Sequence, residues 1–432
     1  MKKIMLFFLI FVCVMLQISF VFAGEDSIKF IDVNPFIHKI PVSIPPFIAV
    51  SDRKNLETVM QDGNRYLKKL LQFTSYFKFD ESNSVLGGLV ATRIDFEKWK
   101  KAGDDMLISV GCYLSGDSLE MEFRLFDVVK KELLVGKRFK GKKNKSKVMI
   151  RKFASAVMSS LFDNKGLFES RLLFVSDHGG GKDIYLCNFD GTGIHQVTAD
   201  KNIAISPSWS YDNKWIAFTS YKRHKPEIFI RSLDLGKGYI ISKGNLNITP
   251  EWIPGKFCIA GVFNLRKDPD IYMVSVNGEI LKKLAGGFGI DVSPSFSRDG
   301  SRMAFVSKRG GSPQIYIKNI KDNSIQRITY EGAYNTSPSW SPTGRWISYA
   351  GMTKDDGINI YLIRPDGTSR KQLTVNSGDN EDPVFSPDGS LIAFSSSRNG
   401  KKKIFVMTKF GDDQRLLIRD LTGNQSEPAW SH

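Results

Sequence analysis

The sequence predicts an α/β domain followed by an all-β, six-bladed β-propeller whose N- and C-terminal strands share one blade. Three observations support this fold: a repeat of 43 to 45 residues through the second half of the chain, six copies of one apolar strand motif, and the absence of the repeat before residue 165. The chain has 432 residues, which is enough for two domains of ordinary size.

The repeat is marked by a proline that precedes a tryptophan or phenylalanine by two positions. The prolines are Pro207, Pro250, Pro294, Pro338, Pro383 and Pro428, and the aromatic residues are Trp209, Trp252, Phe296, Trp340, Phe385 and Trp430. A four-stranded propeller blade takes about 40–50 residues, which matches the observed period. Because the aromatic residues keep one phase in every repeat, we expect them to pack in the core rather than to form a sugar-stacking ring.

The two ends of the repeat region indicate how the ring closes. The chain stops at His432, just after the sixth proline motif, where an apolar strand should follow. Such a strand occurs instead at 172–176, where no proline motif precedes it. These two segments are therefore expected to form one blade, which removes the open sheet edges.

The predicted domain boundaries are 1–23 for a signal peptide, 24–165 for the α/β domain and 166–432 for the propeller. Lys2 and Lys3 precede an apolar run that ends at Ala23, the pattern of a cleaved export signal. The alternative is an uncleaved membrane anchor, since the run approaches the ~20 residues that span a bilayer. Within the first domain we predict strands at 28–31, 46–50, 106–110 and 119–128 and helices at 56–71 and 148–161.

The formal net charge of +16 predicts an anionic partner or surface in the envelope, and nucleic acid is not expected for an exported protein. The densest basic run, Lys137 to Lys147, is interpreted as a solvated loop between a strand and a helix. Whether it contacts a membrane is left open.

Catalytic chemistry has little support in the sequence. The five histidines form no metal-binding or nucleophile-activating pattern, and no Gly-x-Ser-x-Gly motif is present. We therefore predict no enzyme activity, no cofactor and no metal site, although the sequence leaves open whether Asp291, Asp382 and Glu427 converge on a cation. Cys112, Cys187 and Cys258 are expected to be small buried residues without a disulfide framework.

Several first-domain segments, together with the proline motifs, carry a family resemblance. They are 46–50 (PFIAV), 95–99 (DFEKW), 107–111 (LISVG), 126–128 (FDV) and 166–176 (GLFESRLLFVS). In this order they resemble the TolB family of the Tol-Pal envelope system, over essentially the whole chain after residue 23. The chain departs from the family pattern at Ser155, where a histidine is usual, at 72–76, and in the basic run.

The resemblance implies a monomeric, non-enzymatic periplasmic scaffold in a Gram-negative bacterium that supports outer-membrane integrity and cell division. It implies that a Pal-like peptidoglycan-associated lipoprotein binds at the channel mouth formed by the loops entering the innermost strands. Those loops carry Asn245, Asn247, Thr249, Asp291, Ser293, Asn335, Ser337, Asn380, Glu381, Asp382 and Glu427. A TolA-like partner would bind the N-terminal segment formed by Ser27, Ile28, Lys29, Phe30 and Ile31.

Two other functions remain as alternatives. A propeller enzyme acting in the channel would need convergent carboxylates or histidines and a metal. A glycan or lipopolysaccharide binder would use the channel or the basic surface, and its binding would fall steeply with salt.

Overall fold

The computed structural model of the chain describes residues 39–51, 53–79, 94–162, 165–353 and 356–432. The predicted signal peptide, the predicted strand at 28–31 and the TolA-like segment Ser27–Ile31 lie outside these residues. Among the helices that are described, none combines the length and apolar character needed to cross a membrane.

The first domain is built on one mixed sheet with the strand order β3-β1-β4-β5-β6, and β2 pairs with β4. β1, β2, β3 and β4 run parallel where they pair, and β4, β5 and β6 form an antiparallel meander. The strands are β1 Ile40–Ser43, β2 Ile48–Ala49, β3 Phe77–Phe79, β4 Met106–Ser115, β5 Ser118–Asp127 and β6 Glu132–Lys142. The helices are α1 Arg53–Phe73, α2 Phe96–Lys101 and α3 Ser146–Phe162.

α1 and α3 pack on one face of this sheet. Phe123 of β5 stacks on Phe153 of α3 with ring centroids 4.8 Å apart, and both are fully buried. Gly63 lies mid-helix in α1, where a Cβ atom would come within 2.9 Å of the Phe47 ring. The glycine, which lowers helix propensity, is therefore needed for close packing between the helix and the loop after β1.

The predicted helices are confirmed and extend a few residues beyond their predicted ends. The interpretation of Lys137 to Lys147 as a loop is wrong: Lys137–Lys142 belong to β6, which pairs with β5 up to Lys142, and only Lys143–Lys145 form a 3-10 turn. β6 is an edge strand with mostly exposed side chains, so it lacks the alternating apolar pattern that predicts strands.

The propeller has six four-stranded antiparallel blades, as predicted. We number them in chain order from the first complete blade, with strand 1 innermost. Blade 1 is β10 Ala204–Trp209, β11 Trp215–Ser220, β12 Glu227–Ser232 and β13 Gly238–Ile241; blade 2 is β14 Asn247–Trp252, β15 Cys258–Phe263, β16 Asp270–Ser275 and β17 Ile280–Ala285; blade 3 is β18 Asp291–Phe296, β19 Arg302–Ser307, β20 Gln314–Asn319 and β21 Ile325–Arg327. Blade 4 is β22 Tyr334–Trp340, β23 Ile347–Met352, β24 Ile358–Ile363 and β25 Lys371–Gln372; blade 5 is β26 Asn380–Phe385, β27 Leu391–Ser396, β28 Lys403–Thr408 and β29 Arg415–Leu416.

Blade 6 closes the ring with strands from both ends of the propeller. Its order is β30 Gln425–Trp430, β7 Arg171–Ser176, β8 Asp183–Asn188 and β9 His195–Gln196. The indole Nε1 of Trp430 donates a buried hydrogen bond of 2.7 Å to Ser170 Oγ, just before β7. The predicted sharing of a blade by the two ends is thus confirmed. The six repeat aromatics are all buried, in keeping with a packing role.

The end of α1 packs against blades 5 and 6, and both domains belong to one compact unit. Phe73 meets Phe189 edge-on at 5.2 Å, and Lys69 lies 3.9 Å from Asp190. Phe189 and Asp190 are in a turn between strands 3 and 4, so this is the face on which the strand 1–2 and 3–4 turns lie. We call it the domain face. The opposite face, formed by the loops that enter strand 1 and those joining strands 2 and 3, is called the free face.

Candidate functional site

A ring of six residues lines the centre of the propeller, one from each innermost strand. Each immediately precedes the repeat proline and has a left-handed backbone, with φ between 46° and 53°. The ring consists of Ser206, Thr249, Ser293, Ser337, Asp382 and Glu427, and it borders a central cavity of about 420 Å³.

The proline interrupts the pairing between strands 1 and 2. It has no N–H to donate to the neighbouring strand, and it disfavours the right-handed helical region for the residue before it. The pairing between strands 1 and 2 accordingly skips the dipeptide, as between Ile205 and Ser208 in blade 1, and the same irregularity occurs in the other five blades. A left-handed backbone costs a non-glycine residue about 1–3 kcal/mol, so the well-packed blades must impose it.

Two neighbouring ring positions, Asp382 and Glu427, are acidic. The backbone N–H of Ser206 donates to Glu427 Oε2 at 2.6 Å, and Ser337 Oγ donates to Asp382 Oδ1 at 3.1 Å. Burial, followed by the nearby charge of Asp382, raises the pKa of Glu427 to about 7. Burial and the charge of Glu381 likewise raise the pKa of Asp382. The ring therefore favours binding of a cationic or hydrogen-bond-donating group.

A third carboxyl group on the cavity wall, Glu251, was not identified from the sequence. Burial raises its pKa to about 8. The repeat alignment contains the signal, because this position, one after the proline, is small or apolar in every other blade. Its counterparts are Ser208, Ser295, Ser339, Val384 and Ala429.

Four of the predicted partner-binding residues are instead buried at the base of the loops on the free face. Asn247, Asp291, Asn335 and Asn380 have side chains that are at most 1% exposed. Asn247 Nδ2 donates to Pro226 O at 3.0 Å, Asn335 Nδ2 to Gln314 Oε1 at 2.8 Å, and Asn380 Nδ2 to Gly378 O at 2.7 Å. Asp291 accepts from Arg309 at 2.8 Å. These side chains are inaccessible, so the prediction that they contact a partner directly is corrected. Their hydrogen bonds instead hold the loops of the free face in place.

Of the remaining predicted residues, five lie together in the ring (Thr249, Ser293, Ser337, Asp382 and Glu427), whereas Asn245 and Glu381 lie outside it. Asn245 is exposed on a loop, and Glu381 is half-buried in an ion pair with Lys402. Asp291 does not line the cavity, so the structure does not bring it together with Asp382 and Glu427. Throughout the described ranges, no three or more His, Cys, Asp or Glu side chains are grouped as metal ligands would be.

The free face carries an exposed apolar cluster that sequence reasoning missed. Phe288 is 87% exposed, Tyr330 72% and Val375 57%, each on a loop that enters strand 1 of blades 3, 4 or 5. Further exposed apolar residues on this face are Ile203, Ile290, Tyr334 and Met352. The sequence signal that could have revealed these residues is an apolar side chain in a predicted loop, where polar residues are usual.

Exposed cations lie on the same face as these apolar residues. They lie on the loops of the free face and include Lys201, Arg266, Lys267, Lys308 and Lys401. Other cations on the face are already engaged, as Lys222 is with Asp200 at 2.7 Å. The free face thus presents both exposed apolar side chains and exposed cations, a composition that suits a protein partner with acidic groups.

A closed propeller with an appended α/β domain, acidic residues in its central cavity and exposed apolar side chains on its free face has the features of a propeller-type binding protein. Comparison with known families specifies it further. Residues 158–432 match the TolB beta propeller domain, and residues 31–134 match the TolB amino-terminal domain. The chain belongs to the TolB family. Neither matched family describes an enzyme, in agreement with the prediction of a non-enzymatic protein.

Individual relatives agree with this assignment. The chain is 40% identical over 273 residues to the Tol-Pal system protein TolB of Desulfosudis oleivorans, a match that spans 62% of each protein. It is 33% identical over 371 residues, 85% of each protein, to a Protein TolB homolog of Chlorobium luteolum. The crystal structure of TolB from Acinetobacter baumannii superimposes with a TM-score of 0.78 at 22% identity, covering 91% of this chain and 96% of that one, which shows the shared fold.

Proposed function

We propose that this protein is a periplasmic scaffold of the Tol-Pal system in a Gram-negative bacterium, and that its free face binds a Pal-like peptidoglycan-associated lipoprotein. The proposal assigns a TolA-like partner to the segment Ser27–Ile31. Linking these two partners would support outer-membrane integrity and cell division. The observation that carries the proposal is the set of exposed apolar side chains on the free face, led by Phe288, Tyr330 and Val375.

The exposure of Phe288 supports a protein partner. A phenylalanine side chain that is 87% exposed loses the benefit of burial, which is worth about 1.5–3 kcal/mol for a large apolar side chain. Tyr330 adds a second aromatic ring, and aromatic side chains are enriched where interfaces derive most of their energy. Covering both residues would therefore stabilise a complex.

The ring below the apolar cluster provides the polar part of the proposed site. Thr249 Oγ1 is buried without a hydrogen-bond partner in the described structure, and Asp382 and Glu427 lie in the same ring. A projecting N–H group or ammonium from the partner would satisfy these acceptors. The acidic ring and the exposed cations of the free face would together orient a partner that carries both kinds of charge.

Affinity measurements with purified components test the proposal. The protein lacking residues 1–23 is titrated against the soluble domain of the Pal-like lipoprotein from the same organism. Phe288→Asp should weaken binding at least about tenfold, because it places a charge in an apolar contact. Leu235→Asp is the matched control, since Leu235 is 65% exposed but lies in a strand 3–4 turn on the domain face.

The outcomes separate the possible sites. Equal loss of affinity in both variants, or no binding by the unaltered protein, would refute the assignment of the free face. If Phe288→Asp weakens binding, the pair Thr249→Arg and Ser293→Arg then shows whether the interface extends into the ring.

A further inference from the structure

The basic run of the first domain forms a distinct structural feature that the scaffold proposal does not use. Between residues 133 and 162 the sequence has no aspartate or glutamate. The same stretch carries nine cationic residues: Lys137, Arg138, Lys140, Lys142, Lys143, Lys145, Lys147, Arg151 and Lys152. A surface with such a one-sided charge distribution is a candidate binding site for an anionic ligand.

The structure gathers four of these lysines at one end of the domain. Lys142 ends β6, Lys143 and Lys145 lie in the 3-10 turn, and Lys147 is in the first turn of α3. The backbone N–H of Lys143 donates to Asp117 O at 3.3 Å, so the β4–β5 hairpin lies at the same end. All four lysine side chains are exposed.

An exposed apolar residue lies at this end as well. Val50 follows β2, and its backbone N–H donates to Cys112 O at 2.9 Å. The hydroxyl of Ser51 donates to Leu114 O and accepts from the Leu114 N–H, near the tip of the same hairpin. The Val50 side chain is 47% exposed. We define the basic end as Val50, Lys142, Lys143, Lys145 and Lys147.

Local stability does not account for the basic end. Lys145 and Lys147 lie at the start of α3, where the helix dipole disfavours cations, and the first turn of that helix contains no acidic residue. In the described part of the chain, ion pairs engage Arg138, which lies between Glu120 and Glu122 at 3.4 and 3.5 Å, but not the four lysines. Lys143 Nζ donates to Asn55 O, and Lys147 lies 5.6 Å from the Tyr66 ring centroid, so the contacts of both ammonium groups in the described structure are with a carbonyl and an aromatic ring rather than with a carboxylate.

We propose that the basic end binds the surface of a bilayer that contains anionic phospholipid. Lysine stems extend over apolar surface while their ammonium groups reach lipid phosphates, and a side chain such as Val50 inserts at the headgroup boundary. A combination of exposed lysines with an exposed apolar side chain fits this lipid boundary better than it fits a soluble polyanion, which would use only the charges. The surface lies on a different domain from the free face, so this proposal stands independently of the Pal-like partner.

Vesicle co-sedimentation tests the proposal. The protein lacking residues 1–23 is used, so that the apolar N-terminal run cannot itself insert. It should bind vesicles of phosphatidylglycerol in phosphatidylcholine and not vesicles of pure phosphatidylcholine. Changing Lys142, Lys143, Lys145 and Lys147 to glutamine should weaken binding at least about tenfold, since each lysine near an anionic membrane contributes severalfold to affinity.

The matched control removes the same charge elsewhere. Lys237, Lys256, Lys282 and Lys321 are exposed lysines of the propeller that lie outside the free face. Their joint change to glutamine lowers the net charge equally and should leave vesicle binding within about twofold. Val50→Ser should weaken binding to the anionic vesicles in a way that persists at high salt, where charge effects are screened.

Several results would overturn the proposal. One is an equal loss of vesicle binding in the control variant. Another is undiminished vesicle binding by a folded variant with Lys142, Lys143, Lys145 and Lys147 changed to glutamine. A third is binding of the unaltered protein to a soluble polyanion but not to vesicles. The third result would show that the basic end binds a soluble anionic polymer rather than a bilayer surface. Circular dichroism confirms folding of each variant, and binding of the Pal-like domain by the basic-end variant keeps the two proposals separable.

Discussion

The guanidinium of Arg415 in blade 5 lies over the ring of Phe73, at the end of α1, with its central carbon 4.8 Å from the ring centroid. The same guanidinium donates a hydrogen bond to the Phe73 carbonyl and pairs with Asp413. It thereby satisfies a carbonyl at the helix C-terminus that has no partner within the helix. One side chain thus connects the first domain to the propeller.

Arg415→Ala should destabilise this connection by about 2–3 kcal/mol, because it removes both a charged hydrogen bond and a cation–π contact. Urea denaturation and limited proteolysis between the domains measure the effect. Arg65→Ala is the control, since Arg65 lies on the same helix with a side chain that is 82% exposed. Equal stability of the two variants would show that the contact contributes nothing to the junction.

Glu251→Gln should change how stability depends on pH. Burial raises the pKa of this carboxyl group from 4.5 to about 8, so between these values the folded protein retains a proton that the unfolded chain loses. The folded state then binds more protons, and the stability of the unaltered protein falls as pH rises through this window. Glutamine is neutral throughout and avoids this loss.

The stability difference between Glu251→Gln and the unaltered protein should therefore be small below pH 4.5 and grow to on the order of 1–4 kcal/mol above pH 8. Urea denaturation across this range measures it. Glu57→Gln, at an exposed position of α1, controls for the removal of a negative charge. A pH-independent difference for Glu251→Gln would contradict the burial of its carboxyl group in the folded state.

Thr249→Ser should stabilise the protein by about 0.5–1 kcal/mol. Threonine is β-branched and poorly suited to the left-handed backbone at φ 46°, whereas three other blades have serine at this ring position. The urea midpoint measures the change. Thr336→Ser, at an extended position of the same strand in blade 4, removes an equal methyl group and should be neutral or destabilising. A destabilising effect at Thr249 would mean that packing of its methyl outweighs the strain.

Much of the propeller could be predicted from the sequence because each blade repeats the same local requirements. The proline forces the interruption in strand 1, and the aromatic residue two positions later is always buried. The closure of the ring could be predicted because no apolar strand follows the sixth proline motif and no proline motif precedes the strand at 172–176. β1 was not predicted because its four residues, Ile40–Ser43, include a proline and are too few to show a period.

The candidate site was less predictable, since the repeat indicates position but not exposure. Asn247 and Thr249 are two residues apart on one strand, yet the first is buried under a loop and the second lines the cavity. Phe288 lies in the loop between β17 and β18, where no repeat or periodic pattern indicates burial or exposure, so its 87% exposure required the structure. Pattern reasoning therefore found the ring and missed the apolar cluster above it.

The hydrogen bond between Trp430 and Ser170 provides a test of ring closure. Ser170→Ala leaves the buried indole N–H without a partner and should cost about 1–3 kcal/mol. Trp430→Phe removes the same donor, so adding Ser170→Ala to it should cost much less, since Ser170 Oγ also donates to Leu167 O and loses only that bond. Urea denaturation of the two single variants and the double variant gives the coupling energy.

The control cycle combines Ser170→Ala with Trp252→Phe in blade 2, whose indole nitrogen has no hydrogen-bond partner in the described structure. These two substitutions share no contact, so their effects should add within about 0.5 kcal/mol. Additivity in the Trp430 cycle too would show that the indole does not depend on Ser170, and closure would then rest on strand pairing and packing in blade 6. Coupling of about 1 kcal/mol or more in the Trp430 cycle alone assigns a specific part of ring closure to this hydrogen bond.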